Sequence, residues 1–85
     1  MRISEPELII LKREPGQSVP RYFGTMCARD EVDEILRHYI KHHGTRLADY
    51  AWANTDSDTP VTVETDATGA VRSEWFAQRR PQLRC

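Results

Sequence analysis

Every histidine of the chain falls in one stretch, Arg37-His38-Tyr39-Ile40-Lys41-His42-His43-Gly44. Imidazoles at this density could ligate a metal or move protons near neutral pH. On a helix, His38 and His42 form an i, i+4 pair, the spacing by which two histidines share a zinc ion. Glu34 lies one turn before His38 and could join them. The catalytic form of that motif needs a glutamate directly after the first histidine, and Tyr39 stands there. No further ligand follows at a useful spacing. Cys27 sits in an apolar stretch and reads as a small buried side chain, and Cys85 is remote. The expectation is therefore no metal and no cofactor. The histidines read as the solvated, dipole-favoured end of a helix.

A second candidate is the run Asn54-Thr55-Asp56-Ser57-Asp58-Thr59. Its Asn54, Asp56 and Asp58 match the first three ligand positions of a calcium loop. The glycine that turns such a loop is replaced by Thr59, however, and the closing bidentate glutamate by Thr65. Both substitutions fall where the geometry is most demanding, so the run reads as a polar turn. Nucleophilic chemistry has less support. Ser57 and Ser73 lie near acids, and Cys27 lies near no base. The glycines at 16, 24, 44 and 69 stand apart and form no phosphate-binding loop. With no catalytic constellation in view, no enzyme is expected.

Charge is the more informative feature. The formal net charge is −1, but residues 49–78 hold Asp49, Asp56, Asp58, Glu64, Asp66 and Glu74 against Arg72 alone. The last residues carry Arg79, Arg80 and Arg84 with no acid. An acidic module repels phosphate, so direct nucleic-acid binding would have to rely on that arginine tail, with Tyr22 and Phe23 as stacking residues. The hydrophobic share is 39% and the charged share 29%, a globular balance and not a disordered one. The longest apolar run, Leu8-Ile9-Ile10-Leu11, falls far short of the ~18 residues of a membrane span. The N-terminal residues lack the apolar core of a signal peptide, so a cytoplasmic protein without a membrane partner is expected. Two cysteines are also fewer than a small secreted domain would carry, so no Cys27–Cys85 bridge is expected.

The elements that must position these residues follow from periodicity. Residues 7–13 form an apolar run with charged ends, suited to a strand, and 14–20 a loop rich in proline and glycine. Residues 21–28 read as a second strand. Val32, Ile35, Leu36, Tyr39, Ile40 and His43 make one stripe on the 3.6-residue period, which predicts a helix over 30–43. Asp30 is the expected N-cap, with Asp33 in the capping-box position, and Gly44 the expected C-terminal stop. Residues 46–54 alternate Ala48, Tyr50 and Trp52 as a strand would, although Leu47, Tyr50 and Ala51 also fit a short helix. Residues 61–65 and 70–76 read as a hairpin, with Gly69 left-handed in the turn.

The resulting order, roughly ββαβββ, predicts an α+β two-layer sandwich. One helix lies across a mostly antiparallel sheet of 4–5 strands. Residues 1–78 form the single domain and 79–85 a basic tail. One helix covers one face of a sheet, so some of the aromatic residues are expected beside the acids at the surface.

The functional expectation is a small protein-binding module. It would use Asp49, Asp56, Asp58, Glu64, Asp66 and Glu74, beside aromatic residues, to dock on a basic protein groove. Small size and an acidic patch suit, by analogy only, a phage- or mobile-element-encoded inhibitor of a nucleic-acid-handling complex, or an adaptor for one. CRISPR effectors are an example of such complexes. The alternative is a nucleic-acid-binding accessory protein using Arg79, Arg80, Arg84, Tyr22 and Phe23. A homodimer is compatible with either.

Overall fold

Alternation along β1 (Glu7–Arg13) turns Leu8 and Ile10 to one face of a sheet, and both are buried. A computed structural model describes residues 7–80 of the chain. β1 pairs antiparallel with β2 (Arg21–Met26) on one side and with β5 (Val71–Arg80) on the other. β5 in turn pairs with β4 (Thr62–Thr65), and β4 with the two-residue β3 (Arg46–Leu47). The sheet is antiparallel throughout, in the order β2-β1-β5-β4-β3. With the helix α1 (Arg29–His43) following β2, this is the two-layer α+β arrangement expected.

The core lies between α1 and the sheet. Val32 and Leu36, two members of the predicted stripe, meet Leu8, Ile10, Met26, Val61, Trp75 and Ala77. Trp75 is completely buried. Phe23 and Tyr39 pack edge-on against it, with ring centroids 4.7 Å and 5.2 Å away. Such perpendicular pairs add roughly 0.5–1.5 kcal/mol beyond area burial. A bulge in β2 makes this possible. Ile10 opposes Gly24 and Leu11 opposes Tyr22, which leaves Phe23 as the additional residue. Phe23 thus packs against the core while Tyr22 stays 66% exposed.

Several local expectations are corrected. The N-cap is Ala28, not Asp30, and its side chain makes no cap bond. Glu31 reaches back to accept the Cys27 backbone N–H at 2.9 Å, one residue before the N-cap that a capping box would use. Asp30 instead lies in the first turn, where its charge suits the dipole. At the other end Gly44 takes φ 68° as expected, and its N–H caps the Ile40 carbonyl. Residues 46–54 are not one strand. Only Arg46–Leu47 pair with β4, and Trp52–Asn54 form a single 3-10 turn. β5 continues through Arg79 and Arg80, which therefore belong to the sheet and not to a tail. Cys27 is disulfide-bonded instead of a free buried thiol. The chain's other cysteine, Cys85, lies outside the described residues.

No helix among the described residues is long and apolar enough to cross a membrane.

Candidate functional site

The acidic residues read together in the sequence differ in their surroundings: four of the six are buried or have structural partners, and two of those, Glu64 and Asp66, line one cavity. Glu64 and Ser73 are paired neighbours on β4 and β5, and Glu64 is only 2% exposed. Glu74 forms an ion pair with Arg13, at 2.7 Å, on the adjacent strand β1. Asp66 closes the β4–β5 hairpin. One of its carboxylate oxygens accepts from the Thr68 N–H and hydroxyl and from the Ala70 N–H. The Thr68 hydroxyl, helped by the two amides, holds the Asp66 carboxyl below its ordinary pKa. Asp56, in the left-handed region at φ 68°, accepts both the Arg79 N–H at 2.6 Å and its Nε at 2.8 Å. Those bonds lower its pKa as well, the backbone one most.

Asp49 and Asp58 remain exposed, and neither forms an ion pair among the described residues. Both lie on the irregular stretch 48–60 between β3 and β4. Backbone bonds tie this stretch to the sheet: Ala48 N–H to Val63 O, Ala51 N–H to Val61 O and Asp56 N–H to Ala77 O, at 2.7–3.0 Å. Between the two acids Tyr50 and Trp52 stack, 5.0 Å apart and 15° from parallel. The Arg29 guanidinium lies 5.1 Å from the Trp52 ring centre. Burial, then the facing Asp33 carboxylate, push the Tyr50 hydroxyl up to about 12.

Of the arginines of the alternative reading, Arg79 and Arg80 are engaged. Arg79 is held by Asp56, and Arg80 Nε donates to the buried Glu7 carboxylate at 3.0 Å. Phe23 is half-buried against the core and Tyr22 lies exposed on the edge strand β2. Arg84 lies outside the described residues. The histidines lie at the exposed end of α1, where the His43 ring is 4.2 Å from Tyr39. Among the described residues, no three His, Cys, Asp or Glu side chains are placed to hold a metal ion.

One feature was not read from the sequence. A cavity of about 640 Å³ opens beneath the C-terminal end of α1, lined by Lys12, Tyr39, His43, Thr45, Glu64 and Ser73, with Glu14, Asp66 and Arg72 also contributing. Lys12 Nζ donates to the Tyr39 hydroxyl at 2.6 Å, lies 3.4 Å from Glu14, and sits over the Tyr39 ring. Burial alone would lower the Lys12 pKa. The Tyr39 and Glu14 oxygens outweigh it and hold the ammonium above the ordinary lysine value. The Thr45 hydroxyl donates to Glu64 Oε2 at 2.6 Å, while Oε1 is buried without a hydrogen-bond partner. The sequence signal was a glutamate within a short alternating strand, with a serine opposite it across the hairpin. Comparison with known protein families, curated proteins and solved structures finds no match for this chain.

Proposed function

We propose that this protein is a small non-catalytic binding module. Its 48–60 stretch docks on a basic groove of a protein that handles nucleic acid, as an inhibitor or adaptor of the kind mobile elements carry. One observation carries this reading: exposed Asp49 and Asp58 precede and follow in sequence the stacked, half-buried Tyr50–Trp52 pair, on a segment fixed to the sheet by its own backbone. Long irregular connections are uncommon in small domains and often functional. A segment held in place before binding loses little conformational entropy on docking. Aromatic residues supply rigid contact area, and neighbouring carboxylates steer a cationic partner.

The docking acids reduce to Asp49 and Asp58, because Asp56, Glu64, Asp66 and Glu74 have structural partners or are buried. The test is a pull-down from host lysate with and without nuclease, run in parallel with an Asp49→Lys/Asp58→Lys bait. A stoichiometric protein that survives nuclease and is lost with the reversed bait is the expected result. Equal capture by both baits, or recovery of nucleic acid alone, overturns the reading.

A further inference from the structure

We propose that the cavity beneath the C-terminal end of α1 is a binding site for a small organic cation, whose ammonium or guanidinium group sits on the Glu64 carboxylate. The cavity, about 640 Å³, is of the size that takes small molecules. Glu64 is 2% exposed, and its Oε1 has no hydrogen-bond partner. A buried carboxylate oxygen without a donor is costly, so the chemistry the site lacks is a donor, and a charged donor satisfies it best.

Three further observations favour a cation. The C-terminal end of α1, the negative end of its dipole, closes on Gly44 at the cavity wall. Asp66 adds a second carboxylate to the lining, beside Glu14, which Lys12 already neutralises. Of the two cations on the lining, Lys12 is held by Tyr39 and Glu14, and Arg72 is exposed and forms no ion pair with Glu64. Glu64 therefore has no counter-ion of its own among the described residues. A metal ion does not suit the site, since among the described residues no three His, Cys, Asp or Glu side chains are placed to hold one. An ammonium or guanidinium needs only directed acceptors. The rings of Tyr39 and His43 offer a surface for an attached alkyl chain. The inference is independent of the docking reading, since Asp49, Tyr50, Trp52 and Asp58 are not part of the cavity.

The experiment is amide NMR on the full chain, titrated with n-butylammonium and n-butylguanidinium, and with n-butyrate as an anion of similar size. Either cation is expected to give saturable shifts centred on Thr45, Glu64 and Ser73, and butyrate none. Glu64→Gln, which removes the charge at nearly constant shape, should weaken binding about tenfold or more. Arg72→Glu, at an exposed position on the cavity lining, should tighten it. Equal shifts with butyrate, no saturation below about 20 mM cation, or unchanged affinity in Glu64→Gln would overturn the proposal. Were Glu64→Gln to lose its dispersed spectrum, Arg72→Glu alone would decide: unchanged or weaker cation binding overturns the proposal.

Discussion

Replacing Glu64 by methionine asks whether this buried carboxylate is retained for the fold or in spite of it. The side chain is 2% exposed and takes one hydrogen bond, from a threonine hydroxyl, while its second oxygen takes none. Leaving a buried polar atom unsatisfied costs about 1–3 kcal/mol, and more when it is charged. Against that, the Thr45–Glu64 bond contributes about 1.5–3 kcal/mol if Glu64 is ionised. Much of that is recoverable, because Thr45 is only half-buried and its hydroxyl can turn to water. Methionine is unbranched, similar in length and free of the desolvation cost of a carboxylate, which is several kcal/mol for a buried ion.

The balance favours the variant by about 1–2 kcal/mol. In a domain of this size that raises Tm by roughly 4–8 °C per kcal/mol. Urea unfolding at neutral pH, with a slope of about 1 kcal/mol/M, would show the midpoint rising by about 1 M or more. A variant less stable than the parent by more than about 1 kcal/mol, at unchanged slope, would refute the reasoning and make Glu64 a structural residue. A more stable variant that no longer binds the butyl cations would show the opposition of stability and function expected of a binding carboxylate.

Two further outcomes follow from the core and from the hairpin. Leu36→Ala empties a fully buried position of the helix stripe, and should cost about 2–4 kcal/mol by urea unfolding; a loss below about 1 kcal/mol would mean that α1 is not packed on the sheet as described. Asp66 has a depressed pKa when folded, so the unfolded chain takes up its proton at higher pH than the folded one. The stability it contributes is complete above the ordinary aspartate pKa and is lost as pH falls below about 4. Unfolding curves across that range should therefore show a flatter acid limb for Asp66→Asn than for the parent, and parallel limbs would remove Asp66 from the account.

Much of the candidate surface was not legible, because charge along a chain does not say where each side chain points. The six acids of residues 49–78 looked like one patch by proximity in sequence. Pairing of β5 with β1 set Glu74 against Arg13, and the left-handed Asp56 found the Arg79 backbone. Each partner comes from a strand remote in sequence, so no local pattern announces it. Tyr22 and Phe23 are a similar case. They are adjacent and chemically alike, yet one bulge opposite Ile10 and Leu11 sends Phe23 to Trp75 and leaves Tyr22 outside.

By itself the sequence determined the helix, its stop at Gly44, the β4–β5 hairpin with Gly69 left-handed, and the α+β class. These rest on short-range physics: a 3.6-residue apolar stripe, a glycine free to take positive φ, and turn residues between apolar runs. Only the tertiary structure decided the phase of β4. Alternation of Val61, Thr62, Val63 and Glu64 alone would turn the valines inward. Within β4 it is instead Thr62 and Glu64 that are buried, facing the same way as their neighbours Trp75 and Ser73 across the ladder, while Val63 is half-buried; Val61, just before the strand, is in the core as well. Thr62 donates to the Ala48 carbonyl, and Thr45 donates to Glu64. A strand's two faces differ by a shift of one residue, and long-range pairing with β5 and β3, not the local pattern, chose between them.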